Sequence, residues 1–156
     1  MIKDNLKKSF FAGIFSIITI GVLTFLTYKT DFGIFLIASF GSTMVLLYGY
    51  PESPFAQPKN IFFGHLVSMI VGIVFNETIG LSFYSLGLSV GVAVVLMVYL
   101  KVMHPPAASN PLTALFMDLS FDFILFPVIT GTLIIIFLSV IINKFILKRN
   151  YPKKWF

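Results

Sequence analysis

The stretch HPPAASNP, His104 to Pro111, decides how the rest of this chain is read. Three of its eight residues are proline, which lacks the N–H that a helix interior needs, so a helix arriving through Val95–Leu100 stops here and another restarts beyond it. The sequence around it is strongly apolar. Of 156 residues, 58% are hydrophobic and 11% charged, and mean hydropathy is +0.98. That composition lies outside the range of soluble domains and marks an integral membrane protein. A break inside such a chain is costly, because lipid offers no partner to the backbone groups it frees.

Outward from the break, charge-free stretches run Ser9–Tyr28, Phe32–Tyr50, Asn60–Asn76, Thr78–Leu100 and Phe123–Asn143. Each has about 17–23 residues, enough to cross a hydrocarbon core of roughly 30 Å as helix. Pro105–Met117, with roughly 13 residues, reads as a short or half-helical segment. The expected fold class is all-α: a polytopic transmembrane helix bundle of about six segments (9–28, 32–50, 59–76, 78–103, 105–117 and 122–146). One transmembrane domain covers 1–156, and no soluble domain is expected beside it.

Charge sets the parity of the crossings. Lys3, Lys7 and Lys8 precede the first segment, and Lys144, Lys148, Arg149, Lys153 and Lys154 follow or end the last. An excess of Lys/Arg on cytoplasmic flanks puts both termini in the cytoplasm and demands an even number of crossings. Six crossings place Lys59 and Lys101 inside and Asp31, Glu77, Asp118 and Asp122 outside, with Lys29 as the exception. Four crossings, with one hairpin not fully inserted, is the alternative. The expected location is a bacterial cytoplasmic (inner) membrane. Tyr151, Trp155 and Phe156, among the last lysines, read as an interfacial anchor. The run after Lys8 is long enough to span and ends in a poor cleavage site, so no cleavable signal is expected.

The same inventory excludes several functions. Net charge is +5, but the lysines sit at the ends and between apolar runs, which speaks against nucleic acid. Without cysteine there is no disulfide, thiolate metal site or thiol nucleophile. HExxH does not occur, and the two histidines have no carboxylate at their depth, so an enzyme, a metal site or a cofactor is not expected.

A second proline-rich stretch, YGYPESPFAQPKN at Tyr48–Asn60, parallels the first in composition, and the two read as a weak internal repeat of proline-broken hairpins. Paired interrupted segments are the sequence pointer to a transporter's binding site. Helices restarting at Pro54 after Ser53, at Pro58 after Gln57 and at Pro111 after Asn110 are well capped and present N–H groups and a partial positive charge to a small anion. Lys59 and Lys101 add fixed charge there or serve only as topology charges.

His104, with Pro105 and Pro106, stands at the second break as a donor or proton carrier. His65 lies seven residues past Pro58, roughly 10 Å deeper by helix rise, on a face shared with Gly64, Ser68 and Gly72. An ionisable group at that depth marks a functional site, or else a neutral imidazole bonded to a neighbouring helix. Gly41, Ser42 and Thr43, in SFGST at Ser39–Thr43, either line a polar pathway or bond between helices. Gly64, Ser68, Gly72 and the Gly87/Gly91 pair suit close helix contact, within one subunit or between subunits.

Together, GSTMVLLYGYPESPFAQPKNIFFGHLVSMIVG and HPPAASNP resemble the HPP family of integral membrane proteins, whose His-Pro-Pro motif is His104-Pro105-Pro106 here. The likeness covers roughly Gly33 to Phe116. The family's Gly-Ala-Ser stretch stands here as Gly41-Ser42-Thr43, a departure that keeps its small polar character. The resemblance implies four spans, against six from charge parity. It also implies transport of nitrite, with which members in chloroplasts and cyanobacteria are associated. The expectation is therefore a transporter or channel for a small inorganic anion, in contact with the lipid bilayer and working as a homo-oligomer. The alternative is a binding or regulatory membrane protein that transports nothing and whose proline breaks only fold the chain.

Overall fold

In a computed structural model the chain is described at residues 2–31 and 33–155, and the side chains of Ile2–Asp4 are not described. Lys3 as an N-terminal charge, Phe32 as the start of the second segment and Phe156 in the tail lie outside the described residues. The described residues form an all-α membrane bundle. Helix α1 is Ile2–Lys29, α2 is Ala38–Met44 continued by a wider turn over Val45–Gly49, α3 is Pro58–Thr78 and α4 is Phe83–Tyr99. A 3₁₀ turn at Pro105–Ser109 leads into α5, Asn110–Phe116, and α6 runs Ile124–Ile146. Stretches of α1, α3 and α6 are long and apolar enough to cross a membrane, and α4 is shorter.

Local chemistry sets the ends of these helices. α3 closes with the Gly80 N–H reaching back to the Phe75 and Asn76 carbonyls, and Gly80 has φ +77, a conformation glycine adopts freely. Two residues on, the hydroxyls of Ser82 and Ser85 each accept the other's backbone N–H and start α4. The same device ends α4 and α5 with left-handed Lys101 and Asp118: Val102 N–H reaches Met97 O at 2.9 Å and Leu119 N–H reaches Ala114 O at 3.0 Å. His104 is extended, as a residue before proline must be.

The second segment differs from the expected helix over 32–50. Residues 33–37 are outside any helix and Gly33 has φ +131, so helix begins only at Ala38. The Phe35 N–H is satisfied by Thr27 Oγ1 of α1 at 3.0 Å, which lets non-helical backbone sit inside the bundle. At the far end of α2 the Leu47 carbonyl accepts from Asn143 Nδ2 at 3.1 Å and the Tyr48 carbonyl from Arg149 Nη1 at 2.9 Å. Residues distant in sequence thus bond to backbone that α2 leaves open.

α5 runs parallel to α3, and contacts along both fix the register. Asn60 Nδ2 donates to Met103 O, Gly64 meets His104, Gly72 meets Pro111, and Asn76 Nδ2 donates to Asp118 Oδ1. The short segment therefore ends level with the last turn of α3. Asn5, Lys8 and Arg149 line one crevice, and Lys59, Lys101, Lys153 and Lys154 line another, so charges from both terminal regions gather at the end where the breaks lie. Tyr151, expected in an interfacial anchor, is instead buried, its hydroxyl donating to Ala56 O at 2.9 Å; the phenol takes up a carbonyl of the first break. Trp155 remains exposed.

Polarity is arranged as lipid demands. Large apolar side chains such as Phe10, Ile17, Phe83, Val95 and Phe137 face outward, while Ser39, Thr43, His65, His104 and Asn110 are buried. The Gly64–Ser68–Gly72 face serves contact within the chain, whereas Gly87 and Gly91 meet nothing within 4 Å. A Cβ on Gly72 would lie 2.6 Å from Pro111 Cα and 2.8 Å from Ala114 Cβ. Gly72→Ala should therefore cost about 1–3 kcal/mol by overpacking. Gly87→Ala, in open space, should gain about 0.5–1 kcal/mol of helix stability. Thermal unfolding in detergent checks both: Tm falls for the first and holds or rises for the second.

Candidate functional site

The two proline breaks meet. The first, Pro51–Gln57, turns so that the Phe55 carbonyl points inward, and His104 Nδ1 lies 2.7 Å from it. On its other side His104 Nε2 is 2.9 Å from Thr43 Oγ1, which is 3.2 Å from His65 Nε2. His65 Nδ1 is 3.1 Å from Asn110 Nδ2, and Asn110 Oδ1 accepts from Ser39 Oγ at 2.7 Å. Asn110 Nδ2 also donates to Ser68 Oγ at 2.9 Å and to His65 O at 3.2 Å. The six side chains come from α2, α3 and the segment after the second break, and none is more than 2% exposed. Phe40 packs edge-on against His65, and the two imidazoles lie 4.9 Å apart by centroid.

Partner chemistry assigns the protons. A carbonyl only accepts, so His104 carries its hydrogen on Nδ1, and in a neutral ring Nε2 then accepts from Thr43. The Asn110 amide nitrogen only donates, so His65 accepts at Nδ1 and carries its hydrogen on Nε2, directed at Thr43 Oγ1. The outcome is one directed chain: Ser39 to Asn110, Asn110 to His65, His65 to Thr43, Thr43 to His104, and His104 to the Phe55 carbonyl. Thr43 has a second choice. Its hydroxyl is also 3.1 Å from Ser39 O, one helical turn back, so it can turn its proton there and, once His104 is protonated at both ring nitrogens, accept from both imidazoles.

Each expected site residue has a definite place. His65, His104, Asn110, Thr43 and Ser68 converge in the network. Pro105 and Pro106 start the 3₁₀ turn that follows His104, with Pro106 buried and Pro105 exposed. Gly41 and Ser42 are exposed and point away from the network. Ser53 Oγ accepts the Phe55 N–H at 3.2 Å. Gln57 donates to the Pro51 and Ser53 carbonyls, and its Oε1 accepts the N–H groups of Lys153 and Lys154. Lys59 and Lys101 line a surface basin with Glu52 rather than joining the network.

The freed amides expected to await a guest already have partners. Ala56 N–H reaches Ser53 O, Asn60 and Ile61 N–H both reach Gln57 O, and Ala107 N–H reaches His104 O. Asn110 lies where the 3₁₀ turn passes into α5, so it supplies a side chain to the network and no open helix start. Ser39 and the Phe55 carbonyl are the partners that sequence reading missed. Spacing held a signal for Ser39, since residues 39 and 43 are four apart and share a helix face. Nothing local marks Phe55. Among the described residues no three His, Asp or Glu side chains gather as a metal site.

Fold and site together define a polytopic helical membrane protein with a polar network buried where two interrupted segments meet. The chain belongs to the HPP family: it matches the family's transmembrane region over residues 1–152. Among similar proteins are two transmembrane proteins of Dictyostelium discoideum. One is 33% identical over 168 aligned positions, covering 99% of this chain and 53% of the relative. The other is 33% identical over 129 positions, covering 77% of this chain and 45% of the relative. The chain thus spans about half the length of the curated relatives it matches. No solved structure matches it.

The proton assignment is directly measurable, because the chain has only two histidines. With 15N-histidine label, NMR should show one imidazole protonated at Nδ1 and the other at Nε2. In Thr43→Val, whose side chain has no hydroxyl, the His104 Nε2 and His65 Nε2 signals should both shift. Two rings protonated at Nε2 would contradict the directed chain.

Proposed function

We propose that this protein is a transporter or channel for a small inorganic anion, with nitrite as the candidate that the family resemblance supplies. The carrying observation is the buried chain from Ser39 to Phe55. It concentrates hydroxyl, amide and imidazole donors midway along α3, inside a bundle whose outward faces carry large apolar side chains. Polar groups at membrane depth are expensive and cluster on solute or proton pathways. Since the break amides are internally bonded, the donors offered to an anion are side chains: His104 Nδ1–H, the Asn110 amide, and the Ser39 and Thr43 hydroxyls.

In this reading the structure is a closed state. Parting of the Phe55 carbonyl from His104 turns the Nδ1–H toward the lysine-rich end and gives an entering anion its first donor. The two-way hydroxyl of Thr43 then allows a proton to be taken up at His104, so that anion and proton move together. The lysine-rich end is cytoplasmic, consistent with the excess of basic residues there. The protein is not an enzyme, a bundle this small works as a homo-oligomer, and its residence is a bacterial inner membrane.

One observation favours a second reading. Every buried side-chain nitrogen and oxygen among the described residues has a partner, as expected of a lock that only holds the two breaks together in a protein that transports nothing. Nitrite flux into proteoliposomes separates the two. Transport predicts flux above protein-free vesicles, reduced by an order of magnitude or more in His104→Ala and in Thr43→Val, the loss expected when a positioned donor is removed. The lock predicts no flux of nitrite or related anions and a lower Tm in both variants.

A further inference from the structure

Two cavities at the lysine-rich end share one residue. The first, about 370 Å³, is a basin bordered by Lys59, Lys101, Lys153 and Lys154 against the single carboxylate of Glu52. The second, about 260 Å³, is an apolar groove bordered by Phe62, Phe63, Leu133, Ile136 and Trp155, and Lys59 lies on its rim as well. Phe62 and Phe63 follow Lys59 by three and four residues, so they stand one turn further along the same face of α3. Leu133 and Ile136 form the facing wall on α6.

We propose that basin and groove together bind an anionic phospholipid, its phosphate among the lysines and an acyl chain in the groove. The combination selects this ligand. A dissolved anion would use the lysines and leave the groove empty; a lipid without net charge would fill the groove and leave four ammonium groups with only the Glu52 carboxylate against them. An anionic head on an apolar chain satisfies both, and basic pockets at the cytoplasmic ends of membrane helices suit such headgroups. Lysine is also the right cation for the rim, since its stem lies along apolar surface while the ammonium reaches the headgroup level.

The basin is organised before any lipid arrives. Gln57 Oε1 accepts the backbone N–H groups of Lys153 at 2.8 Å and Lys154 at 3.3 Å, and Tyr151 is bonded to Ala56 O, so the tail that carries two of the four cations is fixed to the first break. Less ordering is then left to be done on binding. The same break holds the Phe55 carbonyl against His104, so a lipid seated here also braces the closed network. The assignment does not depend on what the network transports.

The test uses the full chain in neutral detergent. Phosphatidylglycerol, phosphatidylcholine of the same acyl chains, and glycerol phosphate are compared by native mass spectrometry and by Tm. Phosphatidylglycerol should be retained and should raise Tm, phosphatidylcholine should do so weakly, and glycerol phosphate not at all. Lys153→Gln with Lys154→Gln should weaken phosphatidylglycerol retention about thirtyfold, the scale expected for two interfacial lysines. Lys7→Gln with Lys8→Gln, elsewhere at the same end, should leave it unchanged. Ile136→Trp, which narrows the groove, should weaken both lipids while the charge preference survives. Should the tail variant fail to fold, Lys59→Gln with Lys101→Gln carries the same expectation. Equal retention of the two lipids, full stabilisation by glycerol phosphate, or an equal loss in the Lys7/Lys8 variant would overturn the proposal.

Discussion

A single carbonyl governs this structure. The first break leaves the Phe55 oxygen pointing into the bundle without a helical partner, and in hydrocarbon an unmet backbone group costs several kcal/mol. A made hydrogen bond contributes only about 1 kcal/mol net, so the penalty for leaving the oxygen bare outweighs the gain from pairing it. His104 meets it because the second break ends α4 with left-handed Lys101 and holds His104 extended before Pro105. Once Nδ1 of His104 is committed, the rest of the network follows in order. Its Nε2 needs Thr43, Thr43 needs His65, and His65 is turned by Asn110. Two interruptions that each look destabilising alone are thus each other's remedy.

Much of this was legible in the sequence, for identifiable reasons. Helix positions came from hydropathy and from proline, because both act locally. His65 and Thr43 stand out as polar groups in apolar surroundings, Ser68 by sharing a face with His65, and Asn110 as the residue before a helix-starting proline. Other features were illegible because their causes are long-range. Gln57 looked like a helix cap and in fact ties down the tail; Tyr151 looked interfacial and is buried against Ala56. Gly41 and Ser42 were grouped with Thr43 by proximity in sequence, although a helix turns neighbours onto different faces. The amides of both breaks were expected to be open, and short-range turns within each break close them. Helix α2 starts later than hydropathy predicts because Thr27, on another helix, supplies the partner that lets residues 33–37 stay out of helix.

The network also bears on how such a bundle can move. Its members belong to three separate segments, joined by hydrogen bonds, by small-residue contacts such as Gly64 with His104 and Gly72 with Pro111, and by apolar packing such as Phe40 on His65. Thr43 has two alternative acceptors, Ser39 O and His104 Nε2, so turning its proton to Ser39 O releases His104 Nε2 while the His65 Nε2–H keeps its acceptor. The family match spans the whole bundle, and the Dictyostelium relatives extend to about twice its length, so this architecture is a unit to which further sequence is joined in those proteins.

Everything above depends on α5 standing parallel to α3, which brings His104 to Thr43 at one end and Asp118 to Asn76 at the other. The chain has no cysteine, so paired cysteines report on this without interference. Asn60→Cys with Met103→Cys, and Asn76→Cys with Asp118→Cys, introduced into the full chain in native membranes, should each cross-link within the same molecule. If the first pair links and the second does not, with position 118 labelled from the same side of the membrane as position 101, the short segment turns back instead of crossing and the account fails.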